Sequence, residues 1–338
     1  MKVQVIGLGH VGQSLIELVE DEKRLLNSLG LEISIVSVSD SNGTCIDEKG
    51  LNPSEILKYK RLEWKNFRKF EKGRSVLDSI KHVDSDLVVE MTPSTPNGEP
   101  GLSNIKAALA AKKHVVTSNK GPLVVAFNDL MRATRKNGVR LLYEATVAAH
   151  VPVFCLVESC FKADELEGVR GILNATTNFM IGEIERGGDF QKALSEAKRA
   201  GWVEANYSDD VDGIDAARKL VIVANALFRK NVKLGEVSIT GIRHIEPIIR
   251  EAKRTNKKVK LICEISRHRD KLDLKVGPKV VPRKDPLSNV NEGDMGIEFN
   301  WKISKKVFVS AHFQGPKQVA YAVLNDILRT NSSGTSCC

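Results

Sequence analysis

The chain of 338 residues lacks several features that would each fix a function class. No apolar run reaches the roughly 18 residues of a membrane-spanning helix, so no membrane partner is expected. The opening MKVQVIG has no basic start, long apolar core or small-residue cleavage site of a secretory leader, and the expectation is a cytoplasmic, reducing compartment. Cysteine is sparse. Cys45, Cys155, Cys160, Cys263, Cys337 and Cys338 form no C-x-x-C pair and no Cys/His zinc spacing, which excludes a disulfide scaffold and a structural zinc site. There is no internal repeat, no helix-turn-helix, no aromatic RNA-binding signature and no zinc finger.

What remains is an ordinary globular composition, 42% hydrophobic and 28% charged. At about 150 residues per domain the length suggests two domains. The net charge of +9 is uneven: residues 250–284 hold thirteen Lys/Arg against four Asp/Glu, and residues 58–74 hold eight Lys/Arg. With no nucleic-acid motif beside them these stretches read as solvated faces, and no nucleic-acid partner is expected.

Hydrophobic patterning predicts strands over Lys2–Ile6, Glu32–Ser39, Asp86–Met91, His114–Thr117 and Val139–Tyr143, with helices over His10–Ser28, Leu102–Ala111 and Pro122–Asn137. Apolar strands alternating with helices mean a parallel, doubly wound sheet. After Glu144 the pattern changes to helices Pro152–Phe161, Thr177–Arg186, Gln191–Ala200 and Gly213–Arg229, with strands Leu166–Asn174, Lys257–Ser266, Lys271–Val280 and Lys305–His312. The expected fold is therefore an α/β Rossmann-type doubly wound sheet plus an α+β catalytic and dimerisation domain. The first domain spans 1–143 and is completed by a last helix within about 313–330; the second spans 144–312; 331–338 is a flexible tail.

Five clusters carry chemistry. Gly7-Leu8-Gly9-His10-Val11-Gly12 follows a strand and opens a helix. Gly7 allows the tight turn, Gly9 the approach of a pyrophosphate and Gly12 close helix–strand packing. Asp40, at the end of strand 2, suits an adenosine ribose, although D-S-N-G is also a turn sequence. Thr92 opens the rigid loop TPSTPNGEP at a strand's carboxyl end, on the side expected for a nicotinamide. Lys120 stands at a helix start, where a bare cation is unfavourable by about 0.3–1 kcal/mol, so an anionic ligand or a catalytic role is expected. Finally, Asp215 and Lys219 are four apart on one face of a helix that is apolar almost all round from Leu220, with Asp212 as its expected cap.

Taken together, GLGHVG (7–12), VVEMTPSTPNGEPGLSNIKAAL (88–109), HVVTSNKGPL (114–123), YEATVAAHVP (143–152), GILNATTNFM (171–180) and GWVEANYSDDVDGIDAARKL (201–220) resemble homoserine dehydrogenases, in that family's order and over about two-thirds of the chain. The resemblance is to short, archaeal-type members with no C-terminal ACT-type domain. It implies NAD(P)-dependent interconversion of L-homoserine and L-aspartate 4-semialdehyde by a homodimer. Lys120 and Lys219 match the family's catalytic lysines, with Asp215 paired to Lys219. Asn174, Thr176, Glu204 and Asp210 match substrate-pocket residues. Gly7, Gly9, His10, Val11, Gly12, Asp40, Thr92, Lys120 and Gly315 are the expected cofactor contacts. Glu144, Val147, Ala149 and Val151 match a loop whose carbonyls hold a monovalent cation, usually sodium. The chain departs from the family at Ala148, His150 and Ala175, where glycine is usual, and at Gly315-Pro316-Lys317-Gln318, where small residues are usual. A dehydrogenase of another small amino or hydroxy acid, or a non-catalytic nucleotide-binding homologue, is the alternative.

Overall fold

The protein, here a computed structural model, is described over residues 1–200 and 207–331. The chain divides into two units, Met1–His150 with the segment from Gly315 onward, and Val151–Gln314. The first contains β1 (Lys2–Ile6), α1 (His10–Asp21), α2 (Lys23–Ser28), β2 (Ser34–Asp40), β3 (Gly43–Ile46), α3 (Pro53–Arg61), β4 (Phe70–Glu71), α4 (Val76–His82), β5 (Leu87–Glu90), α5 (Gly101–Ala110), β6 (His114–Thr117), α6 (Lys120–Asn137) and β7 (Leu141–Leu142). The second contains α7 (Phe154–Cys160), β8 (Leu166–Ile172), α8 (Ala175–Glu185), α9 (Phe190–Arg199), α10 (Ser208–Val211), α11 (Ile214–Leu227), β9 (Ser238–Ile239), α12 (Glu246–Arg254), β10 (Lys258–His268), β11 (Lys271–Val281), β12 (Met295–Trp301) and β13 (Lys305–Ala311). The last helix, α13 (Pro316–Asn331), belongs to the first unit and packs on α1.

In the first unit seven strands lie in the order β4-β3-β2-β1-β5-β6-β7. The five from β2 to β7 in that order are parallel, and β3 and β4 add an antiparallel edge. All four residues of β5 and four of five in β1 are buried, as strands covered on both faces require. β1 has β2 on one side and β5 on the other, so successive connections leave it in opposite directions. Open α/β sheets bind ligands at the carboxyl ends of strands beside such a point. Gly7–Gly12, Asp40 and Thr92 all follow strands that meet there.

The helix expected over His10–Ser28 is two helices. Its apolar stripe stops at Val19; Glu20 to Leu25 are exposed, and α2 buries only Leu26, so nothing holds the chain to one axis across Glu22. The antiparallel edge strands β3 and β4 and the helices α3 and α4 fill the long stretch after Asp40.

The second unit is built on a six-stranded sheet in the order β13-β12-β8-β10-β11-β9. β12 (MGIEFNW) and α12 (EPIIREAKR) lie in segments for which the sequence analysis predicts no element. α11 packs on β10, where Cys263 Sγ lies 3.8 Å from the Ala216 carbonyl; burial pushes that thiol up to about 12. Asp212 does not cap α11. It pairs with Arg243 instead, and the residue at the helix start is Gly213 in a left-handed conformation, φ 80°. Among the described residues no helix is long and apolar enough to cross a membrane.

Candidate active site

The three glycines of the first turn occupy different surroundings. A Cβ on Gly7 would lie 2.5 Å from the Met91 carbonyl oxygen, and its φ of 97° is one that L side chains rarely adopt. A Cβ on Gly12 would lie 2.1 Å from the Gly7 carbonyl oxygen. A Cβ on Gly9 would meet nothing within 4 Å. Gly7 and Gly12 are therefore demanded by the fold itself, while Gly9 borders open space. Gly9 is also the N-cap of α1, with no side-chain cap and no acidic residue in the first turn. The helix thus offers its leading N–H groups, beginning at His10 and Val11, and the positive end of its dipole to an anion.

Asp40 ends β2, and its carboxylate is already occupied. Oδ2 pairs with the Lys60 ammonium and accepts a hydrogen bond from Trp64 Nε1 at 2.7 Å; Oδ1 accepts from the Asn42 N–H at 2.7 Å. The turn-former reading of Asp40 has its physical counterpart in the bond from the Asn42 N–H. Lys60 and Trp64, which neutralise and shield it, are not singled out by the sequence, because they come from α3 and the turn beyond, 20 and 24 residues on.

Thr92 and Lys120 follow adjacent parallel strands. Lys120 is the first residue of α6, and Asn119 caps that helix by accepting from the Gly121 N–H at 3.0 Å. Both loops converge on Glu90, a fully buried acid that sequence reasoning passes over as part of an apolar strand. Burial pushes its pKa up, opposed by hydrogen bonds from Thr92, Asn119 and Thr117.

In the second unit Asn174, Asp210, Asp215 and Lys219 come together. Lys219 Nζ lies 2.7 Å from Asp215 Oδ2 and donates to the Leu173 carbonyl, also at 2.7 Å. The Asn174 amide donates to Asp210 Oδ1 at 2.7 Å and to Asp215 Oδ2 at 2.9 Å, while its carbonyl oxygen accepts from the Thr177 N–H at 2.8 Å and so caps α8. Side chains of Asp215 and Lys219 are each only 13% exposed, so their attraction is weakly screened. Thr176 is buried beside the cap. The neighbouring acids are spent elsewhere: Asp209 on Arg218 and Asp212 on Arg243. Glu204 lies outside the described residues. Ala175 is the first residue of α8 and sits in helical backbone.

The loop from Glu144 is closely held within the first unit. Asp326 Oδ2 accepts the Glu144 N–H at 2.8 Å, and the Arg329 guanidinium lies 2.9 Å from Asp326 and 3.6 Å from the Glu144 carboxylate. Burial, reinforced by the Glu144 charge, pushes the Asp326 carboxyl up to about 7. Val147, Ala148 and Ala149 are buried, as is Val151, the first residue of the second unit. Ala148 and Ala149 adopt φ of 54° and 52°, left-handed backbone that costs a non-glycine residue about 1–2 kcal/mol. Both residues thus adopt a conformation that glycine would favour. Gly315, at φ 139°, leads into α13, and a Cβ there would meet nothing within 4 Å.

Residues 7–144 match the family model for the NAD-binding domain of homoserine dehydrogenase, and residues 152–328 match the homoserine dehydrogenase model. The homoserine dehydrogenase of Methanocaldococcus jannaschii is 36% identical, with 98% of this chain and 99% of that protein covered. The NAD(+)-dependent homoserine dehydrogenase of Pseudomonas canavaninivorans is 31% identical, covering 99% and 97%. Among solved structures, homoserine dehydrogenase from Thermoplasma acidophilum matches with a TM-score of 0.84 at 26% identity, covering 97% of this chain and 98% of that one.

Proposed function

The chain belongs to the homoserine dehydrogenase family, and from that premise we propose that it interconverts L-homoserine and L-aspartate 4-semialdehyde, with Lys219 as proton donor and acceptor and Lys120 assisting. The observation that carries the reading is the cluster of Asn174, Asp210, Asp215 and Lys219. When bound, the nicotinamide supplies or receives the hydride at the substrate's C4. The developing alkoxide then needs a proton. Lys219 donates one N–H to the Leu173 carbonyl and is ion-paired with Asp215, which fixes the position of its ammonium. A remaining N–H is assigned to the substrate oxygen. In the reverse direction the same amine takes up the hydroxyl proton. General acid–base help of this kind contributes about 10²–10⁴-fold. The substrate's ammonium is assigned to Asp210, with Glu204 as a second acid, and Thr176 to the pocket wall beside Asn174.

The cofactor is assigned to the first unit. Backbone N–H groups of Gly9, His10, Val11 and Gly12 would hold the pyrophosphate, Gly7 would shape the turn beside it while its own N–H is donated to the Ser39 carbonyl, Thr92 and Lys120 would border the nicotinamide, and Gly315 would complete the contact set. The open space at Gly9 and the uncapped start of α1 fit this ligand. Asp40 is assigned to the adenosine ribose. Because Lys60 already balances its charge, a 2′-phosphate meets less repulsion than a lone carboxylate would impose, so both NAD and NADP are accepted. The 144–151 loop is further read as the carrier of a sodium ion on the carbonyls of Glu144, Val147, Ala149 and Val151.

We assign a homodimer to the face of the six-stranded sheet that carries Arg170, Glu264 and Glu298. It is opposite the face under α11 and holds a cleft of about 950 Å³. The deciding experiment is oxidation of NADH and NADPH in the presence of L-aspartate 4-semialdehyde, with other small aldehydes in parallel. Turnover with the semialdehyde is expected. Turnover only with another aldehyde, or none with any, refutes the substrate assignment.

A further inference from the structure

Glu90 ends β5 with no exposed surface, in a strand otherwise made of Leu87, Val88 and Val89. A buried carboxyl is costly unless its oxygens accept hydrogen bonds. Oε1 accepts from the Thr92 N–H at 3.0 Å and from the Thr92 hydroxyl, and the one Thr117 hydroxyl proton is shared between the Glu90 main-chain carbonyl at 2.8 Å and Oε2 at 3.3 Å. The Asn119 side-chain amide stands beside the carboxyl, both bordering Gly101, and joins this set through Thr92. These partners bond to one another. Thr117 Oγ1 accepts the Asn119 N–H at 3.0 Å, and Asn119 Nδ2 donates to Thr92 Oγ1 at 3.2 Å. A Cβ on Gly101, the first residue of α5, would lie 2.5 Å from Asn119 Nδ2 and 3.0 Å from Glu90 Oε2, so the absence of a side chain there leaves the network its room.

Thr92 begins the loop after β5, and Asn119 caps the helix that starts at Lys120. We infer that Glu90 is a positioning residue: it ties the loop after β5 to the loop after β6 and so fixes the backbone from which Lys120 projects. The chemistry explains why an acid is used. Every group facing the side chain is a donor, and only a carboxylate offers acceptors in both positions. An amide of the same shape must turn its NH₂ toward one donor. With the Thr92 N–H fixed on Oε1, the NH₂ takes the place of Oε2, where it displaces the Thr117 hydroxyl and crowds the amide of Asn119, the cap of α6. The inference rests on the reading of Lys120 as an active-site residue.

The test is steady-state kinetics on Glu90→Gln, Thr117→Val and the double variant Glu90→Gln/Asn119→Asp, with Lys120→Ala as reference and thermal melts alongside. Glu90→Gln is expected to lower kcat about tenfold or more, since small misplacements of reacting groups cost up to about a hundredfold, with little change in cofactor KM. Thr117→Val, which removes the hydroxyl between Glu90 and Asn119, should lower kcat in the same way and keeps the test alive if Glu90→Gln does not fold. In the double variant the new amide at position 90 donates to the carboxylate introduced at position 119, which still accepts the Gly121 N–H, and kcat should return to within about threefold of wild type. A merely structural Glu90 predicts a lower melting temperature with unchanged kcat, and that result overturns the inference. So does a folded double variant no faster than the single one. If Lys120→Ala keeps wild-type kcat, the Lys120 reading fails and this inference falls with it. If Lys120→Ala is slow but Glu90→Gln and Thr117→Val are not, only the Glu90 inference fails.

Discussion

The glycine turn of the first unit and the acidic segment of the second pose the same problem in opposite ways. In the turn, three identical residues divide their work. Gly7 and Gly12 avoid collisions with backbone at 2.5 and 2.1 Å, and Gly9 faces open space. In the acidic segment, four aspartates within residues 209–215 divide theirs as well. Asp209 and Asp212 neutralise Arg218 and Arg243, and Asp210 and Asp215 meet on Asn174. In both places residue type and spacing locate the site, and the neighbour decides the role. In the turn one deciding neighbour is local, Gly7 beside Gly12, and the other, Met91 beside Gly7, comes from the end of β5; in the acidic segment Asn174 and Arg243 come from 41 and 31 residues away.

The sharpest way to break the second half of that comparison is Lys219→Ala. As proton donor, its loss should reduce kcat by about 10²–10⁴-fold while nucleotide binding persists. If Lys219 serves only as the ion-pair partner of Asp215, the variant loses stability, because a partly buried carboxylate is left with less compensation, but whatever stays folded turns over normally. Kinetics and a thermal melt on one preparation separate the two, and wild-type kcat in folded protein ends the catalytic claim. Asp212→Asn is the control from the same segment. Its pair with Arg243 is well exposed, so kcat should not move.

The first half is tested by moving a side chain around the turn. Gly9→Val should fold, since the added Cβ meets nothing within 4 Å, yet lose nucleotide affinity by about tenfold to a hundredfold, the worth of a charge-assisted hydrogen bond or two. Gly12→Ala should instead lower the melting temperature, because its Cβ would overlap the Gly7 carbonyl oxygen. Equal nucleotide affinity in Gly9→Val and wild type would mean that the turn holds no pyrophosphate.

How much of this is legible in the sequence follows the same division. The parallel strands, the glycine turn and the Asp215–Lys219 pair rest on local periodicity, and they appear where the residue pattern puts them. Elements whose logic is tertiary escape a local reading. β12 carries Glu298 within an otherwise largely apolar strand, and that acid makes sense only opposite Arg170 on β8, 128 residues away. α12 is submerged in a basic stretch whose charge masks two buried positions, Ile249 and Ala252. Lys260, in the same stretch, is no surface charge: it is buried on Asn178 and the Val290 carbonyl, and burial lowers its pKa to about 8. Asp212 reads as a cap because local sequence cannot see Arg243. Glu90 offers one signal, a lone acid inside an apolar strand, and the hydrogen-bond rule for buried carboxyls is the means to read it.

The smallest expected effect concerns the other lysine–aspartate pair. Asp40 and Lys60 resemble Asp215 and Lys219 in composition, but they lie in the cofactor unit, with side chains 6% and 21% exposed. On the proposed reading this pair tunes charge and transfers no proton. Lys60→Ala should leave Asp40 with the Trp64 indole and the Asn42 N–H but without a cation, so its negative charge would again oppose a 2′-phosphate. Two unit charges 4 Å apart interact by about 1 kcal/mol in bulk water and about 4 kcal/mol near a protein surface, and the phosphate stands further off, so the NADP/NAD affinity ratio should fall by a few-fold. Asp40→Ser should move the ratio the other way. Both shifts should shrink as salt is raised, because screening acts on charges near the surface. Titrating each variant with both nucleotides at two salt concentrations reads the ratio directly. If neither variant moves it, Asp40 and Lys60 serve the turn and its packing, and cofactor choice is made elsewhere.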